Sequence, residues 1–159
     1  MDEFHLTEDS SNWPLSDKSV DLCLCDQVLE HIENPELFFS ECRRVTKRGG
    51  YLCIRTTNVH SYVGLASRLV PDKSHALVLG KVQDNRKEED VFPTLYRCNS
   101  VSKIRRMLNQ YGFDNHVYGY EAEPSYLSFS RLSYLLGVLH QRFAPSTIKA
   151  SIFAFGRKV

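Results

Sequence analysis

The chain has 159 residues, enough for one domain with a real core. A formal net charge of +1 gives no general case for nucleic-acid binding, and no apolar run is long enough to cross a bilayer. The charge is unevenly placed: residues 1–46 hold 11 acids and 3 bases, whereas residues 47–159 hold 8 acids and 17 bases. That asymmetry fits solvated helix faces, or a basic surface in the second half that meets an anionic substrate or a membrane.

Five cysteines show no metal-ligand spacing. Cys23 and Cys25 would share one face of a strand, with Cys53 on the adjacent strand. They read as small buried hydrophobes in a reducing compartment, and with no signal peptide at the start a cytoplasmic location is expected. No metal site is expected.

Phe4–Leu6 is a short strand candidate, followed by a polar loop to Pro14. Val20–Cys25 is the next strand, a short apolar run opened by Asp21. A helix starts at Asn34-Pro35, with Asn as cap and Pro at the first helical position. Phe38, Phe39, Cys42 and Val45 form its apolar face. Gly49-Gly50 is expected to end it, since glycine takes the left-handed conformation at no steric cost. Tyr51–Thr56 is then a second strand. Strand, returning helix and strand imply parallel pairing, with ligands beyond the carboxyl ends of the strands. Those ends carry Asp26-Gln27 and Arg55–Asn58.

Further on, His60–Leu69 reads as a helix with Val63, Ala66 and Leu69 inward. Residues 71–95 read as a loop of the kind that selects substrates, with His75 a lone histidine in it. Ser100–Tyr111 is a helix with Val101, Ile104, Leu108 and Tyr111 inward and Gly112 as its stop. His116–Tyr120 is a strand. A helix then runs to about Phe143, with Leu132, Leu135, Leu136, Leu139 and Phe143 in one stripe. The stripe packs on the sheet, or else forms a lid over an apolar substrate or a face lying on a membrane, with Arg131, His140 and Arg142 at its edge. Ser151–Arg157 is the last strand.

Several of these residues carry a family resemblance. Pro14-Leu15 before Ser19-Val20-Asp21, then Leu29-Glu30-His31, Asn34-Pro35, and Arg44-Val45 followed by Lys47-Arg48-Gly49-Gly50, resemble the middle of a class I S-adenosylmethionine-dependent methyltransferase of the type 11-like kind. The likeness is strong over residues 4–58 and looser over 94–120. It implies an α/β fold with a partial, Rossmann-like doubly wound sheet. The sheet would be mostly parallel, with the last strand antiparallel and inserted between the fifth and sixth family strands. It implies one domain over 1–159, incomplete at its N-terminal side, with substrate-side caps at 59–97 and 122–146.

The resemblance also implies roles. Asp9 would accept from the adenine amino group, the Ser10 N–H would face a ring nitrogen, and Trp13 would wall the same pocket. Asp26 and Gln27 would lie near the methionine part of S-adenosyl-L-methionine. His31 would take a proton from the acceptor, or pin its loop as a structural histidine. Asn58 and His60 are candidate substrate contacts, with helix capping the other role for Asn58.

The family's Gly-rich cofactor loop and the acidic residue after its second strand are not found. The first glycine is Gly49, and no G-x-G-x-G occurs. The chain is therefore expected to start at the third family strand and to be inactive in isolation. Self-association, or pairing with a missing N-terminal half, is expected from the open strand edges. The acceptor is expected to be a small molecule, with the apolar helix and basic second half pointing to a lipid, quinone or glycan-linked one. The alternative is a non-catalytic partner or regulatory subunit without cofactor binding. A nicotinamide-dependent oxidoreductase would share the layered architecture but would also need a Gly-rich first turn.

Overall fold

The computed structural model describes residues 12–69, 93–121 and 127–159, with backbone alone for 66–69. The expected strand at Phe4–Leu6, most of the 71–95 loop with His75, and the inward placing of Ala66 and Leu69 lie outside what is described.

Strand β1 (Val20–Asp26) leads through a 3-10 turn at Leu29–His31 into helix α1 (Pro35–Val45). The Asn34 side chain accepts from the Leu37 N–H at 3.3 Å, and Pro35 sits in the first turn, as expected of a capped start. Phe38, Phe39, Cys42 and Val45 are all buried.

The helix stops four residues earlier than Gly49-Gly50 would place it. Thr46 leaves it in an extended conformation, and its hydroxyl donates to the Cys42 carbonyl at 2.6 Å. Strand β2 runs from Thr46 to Thr57, with the two glycines inside it. Their task is a bulge: Val20 faces Thr46 and Leu22 faces Tyr51, so β2 carries three extra residues there. Gly49 has φ +80, and a Cβ on Gly50 would meet the Asp21 carbonyl at 2.9 Å.

Helix α2 (Tyr62–Leu69) follows, starting two residues after His60, with Val63 half-buried. Helix α3 (Val101–Gln110) buries Val101, Ile104, Met107 and Leu108 and ends before Gly112 at φ +67. Strand β3 (Phe113–Tyr120) starts three residues before His116, because Phe113 and Val117 both face the core. Helix α4 (Arg131–Phe143) and strand β4 (Ser151–Lys158) complete the described elements.

The sheet order is β1-β2-β4-β3. β1 and β2 are parallel, and β4 is antiparallel to both β2 and β3. The antiparallel strand thus lies between the other two, as the resemblance implies. β1, β2 and β3 all point the same way, so their carboxyl ends share one edge.

Among the described residues, only one face of this sheet is well covered. Leu52, Ile54, Ile152, Ala154 and Val117 join Phe38, Phe39, Ile104 and Leu108 of α1 and α3 in a single core. On the other face Leu24 is 73% exposed, Leu22 and Tyr51 are about half exposed, and Phe153 stacks on Tyr118 with ring centroids 6.0 Å apart. β1 is an edge strand among the described residues.

Helix α4 departs from the packed-on-the-sheet expectation. Its leucine stripe points outward, with Leu132 69% and Phe143 71% exposed. Its inward side is Gly137, the one buried residue of the helix, with Val138 and Gln141 beside it half-buried.

Two polar clamps close the molecule. The Lys158 ammonium donates to the carbonyls of Arg43 and Thr46, both at 2.6 Å, at the carboxyl end of α1. Burial pulls its pKa below the ordinary lysine value. On the other flank Arg44 bridges Glu41, Asp17 and the carbonyls of Trp13 and Leu15. Hydrogen bonds from Arg44 and the Trp13 N–H hold the Glu41 carboxyl below its ordinary value.

Lys158→Met should cost about 2–3 kcal/mol, since it removes two charge-assisted bonds from nearly dry carbonyls. A lower urea midpoint at unchanged slope would show it, and an unchanged midpoint would refute it. A carboxyl with a lowered folded pKa stabilises above its ordinary pKa and stops doing so as pH falls through the folded value. Glu41→Gln should therefore melt below the wild type at neutral pH and converge with it in acid, as thermal melts across pH would record.

Candidate functional site

The shared carboxyl edge of β1, β2 and β3 is where chemistry-bearing side chains collect. At the end of β1, Asp26 pairs with Arg55 through two contacts, Nε to Oδ1 at 2.5 Å and Nη2 to Oδ2 at 2.7 Å. Asp26 and Arg55 are register partners across the parallel pair, and both are about half exposed. Gln27 then takes φ 53, a left-handed residue that turns the chain out of the sheet. Its N–H donates to the Arg55 carbonyl, and the Thr57 hydroxyl donates to its side chain at 3.4 Å.

The Leu29–His31 turn is anchored by Glu30, which is 5% exposed. The Asn99 amide donates to the Thr56 hydroxyl, which donates to Glu30 Oε2, each at 2.7 Å. The Glu30 carbonyl in turn accepts from the N–H groups of Leu95 and Tyr96. His31 Nδ1 lies 3.0 Å from the Pro93 carbonyl oxygen, a contact that ties the turn to the segment before α3. That bond matches the structural role for His31 and leaves the proton-accepting role to be tested.

At the end of β2, Asn58 is fully buried. Its amide donates to the carbonyls of Thr147 and Lys149, both at 2.9 Å, and its Oδ1 accepts from the His60 N–H at 3.1 Å. These bonds turn Asn58 inward, toward the connection into β4 and away from the crevice surface. It does not cap α2; Ser61 does, accepting from the Gly64 N–H at 3.0 Å. His60, beside it, is exposed. Trp13 packs edge-on against Phe38 at 5.8 Å, fixed by the Glu41 bond to its N–H. Asp9 and Ser10 lie outside the described residues.

A second cluster forms where β3 ends. Glu121 is buried, accepts from the Tyr62 hydroxyl at 3.0 Å and from the Ala150 N–H at 2.7 Å, and lies 3.5 Å from His140 Nδ1. That ring nitrogen is buried and makes no hydrogen bond among the described residues. Sequence reasoning placed His140 only at the edge of a stripe and missed Glu121. The available signal was position, since Glu121 follows β3 as Asp26 ends β1. No pattern in the sequence singles out Asn99.

Cys25 and Cys98 are poor nucleophiles here. Burial, with Glu30 nearby, pushes Cys25 up to about 12, and burial pushes Cys98 up to about 11. Among the described residues no group of three His, Cys, Asp or Glu side chains is placed to hold a metal.

Residues 3–54 match the model of the methyltransferase domain family. That stretch carries β1, the Leu29–His31 turn, α1 and most of β2. Residues 3–54 are thus similar to part of a methyltransferase domain. The chain is 29% identical over 102 residues to an uncharacterized protein of Methanocaldococcus jannaschii, covering 64% of this chain and 42% of that one. It is 46% identical over 44 residues to an uncharacterized methyltransferase of Mycobacterium bovis, covering 28% of this chain and 17% of that one. The chain thus matches less than half the length of these relatives. A SAM-dependent methyltransferase structure from Thermotoga maritima superposes with a TM-score of 0.56 at 19% identity. It covers 98% of this chain and 64% of that one, a likeness of fold. The matched segment therefore sits in a sheet whose other described strands follow the fold of that structure.

Thr56→Val should cost the fold about 2 kcal/mol by stranding the Asn99 amide and the Glu30 carboxylate, whereas Thr56→Ser should be nearly neutral. Equal stability of the Val and wild-type chains in chemical denaturation would refute the network's role.

Proposed function

We propose that this chain is part of an S-adenosyl-L-methionine-dependent methyltransferase and transfers a methyl group to a small-molecule, lipid or glycan-linked acceptor. The observation that carries the reading is the position of the family match. It falls on the parallel β1–β2 pair whose carboxyl ends present the Gln27 turn and Thr57 at one edge. The five cysteines are free thiols, in keeping with work in the cytoplasm.

The residues present fit one end of the cofactor. The left-handed turn at Gln27 offers backbone beside the crevice, with Asp26 held by Arg55. The first glycine lies in the β2 bulge, so no Gly-rich loop is offered for the rest of the cofactor. When bound, the sulfonium supplies a methyl group with a good leaving group already attached. This chain's part is then to hold the acceptor in line. His60, exposed at the end of β2, is the candidate contact there, and His31 is the candidate proton acceptor.

A second reading, a non-catalytic partner or regulatory subunit, is favoured by the uncovered sheet face and the open β1 edge. Either could receive a further polypeptide segment or a second copy. A structure of similar fold, the complex between the Haloferax volcanii Trm112 methyltransferase activator and its partner chain, has a TM-score of 0.56 at 13% identity.

Calorimetry with S-adenosylhomocysteine tests the main reading. The 159-residue chain alone should bind weakly or not at all, and a longer chain that adds a Gly-rich loop should bind. Low-micromolar binding by the chain alone would overturn the incomplete-site reading, and no binding by the longer chain would overturn the methyltransferase assignment.

A further inference from the structure

Helix α4 presents an apolar surface that the methyl-transfer reading does not use. Leu132, Leu135, Leu136, Leu139 and Phe143 are 45–71% exposed, and Phe129, just before the helix, is 79% exposed. At helical spacing the five helix residues fall within an arc roughly 100° wide. Gly137, Val138 and Gln141 lie on the opposite side, toward the protein. The stripe is therefore a convex ridge rather than a groove, and it projects from a helix that is already formed. Ser130 and Ser133 cap each other reciprocally at its start.

The exposed charges of the helix have one sign. Arg131 and Arg142 fall along one border of the arc and are exposed, while His140, along the other, is half-buried beside Glu121. Arg142 also lies over the Phe143 ring, 5.7 Å from its centroid. From residue 124 to residue 159 the sequence holds five bases and no Asp or Glu. A ridge of large apolar side chains, flanked along one border by exposed arginines and with no Asp or Glu on its helix, matches an anionic bilayer surface. There the apolar side chains enter the acyl boundary and the arginines meet headgroup phosphates. At 13 residues the helix is about 20 Å long. No helix among the described residues is long and apolar enough to cross a membrane.

We propose that α4 is an interfacial anchor that lies on anionic membrane surfaces with its leucine ridge inserted. The proposal stands independently of the methyl-transfer reading.

Co-sedimentation with phosphatidylcholine vesicles, with and without phosphatidylglycerol, tests it. The chain should bind the mixed vesicles and release them at high salt, and should bind pure phosphatidylcholine far more weakly. The double variant Leu135→Glu/Leu139→Glu should keep its circular dichroism spectrum, since both side chains are exposed. It should lose roughly a hundredfold in vesicle affinity. Arg131→Gln/Arg142→Gln should weaken binding to the mixed vesicles only. No binding of the wild type to either vesicle would overturn the proposal. So would undiminished binding by the Leu double variant. Self-association that this variant abolishes, in a chain that ignores vesicles, would assign the ridge to a protein contact instead.

Discussion

The parallel pairing of β1 with β2 across α1 is the constraint on which the rest depends. It forces the chain to return along one face of the sheet, so α1 must bury Phe38, Phe39, Cys42 and Val45 against that face. It also brings Asp26 and Thr57 to the same edge. Once that edge is set, the polar groups there cannot all reach water. Glu30 is taken up by Thr56 and Asn99, and Asn58 by the connection into β4. What looks in the sequence like a row of candidate catalytic residues is, in part, the fastening of the edge itself.

This explains why some of the fold was legible beforehand and some was not. The α1 start was readable because Asn34 and Pro35 act within one turn. The inserted antiparallel strand came from the family likeness, and β4 occupies that place. The end of α1 was misread because two glycines outrank a threonine in any local rule. Yet Thr46 satisfies a helix carbonyl while already extended, and this freed Gly49-Gly50 to form a bulge. Asn99 was invisible as a site residue because its partner lies 43 positions away, and Glu121, with a partner 59 positions away, was marked only by its place after β3. Apolar periodicity fixed the spacing of the leucines on α4 but not the side on which the rest of the protein would lie.

The uncovered sheet face and the leucine ridge are separate exposures with different shapes. The first is a flat lattice of Leu24, Tyr51 and Phe155 ending in an open strand edge, the kind of surface that helices and a further strand cover in a doubly wound fold. The second is a narrow convex stripe beside cations. Their difference in form is a reason to assign them different occupants.

The Lys158 clamp has a consequence for the order in which the molecule assembles. Its ammonium reaches carbonyls 112 and 115 positions earlier, and Arg43 reaches the Val159 carbonyl across 116. During synthesis α1 emerges long before the lysine that finishes its carboxyl end. Until residue 158 is available, two helix carbonyls depend on water, and β2 lacks its antiparallel neighbour. Contacts of such separation are slow to find. While the residues between Thr46 and Lys158 are being added, the nascent chain carries α1 with its carboxyl end unfinished, a window in which a chaperone or a stretch of the same polypeptide can hold it.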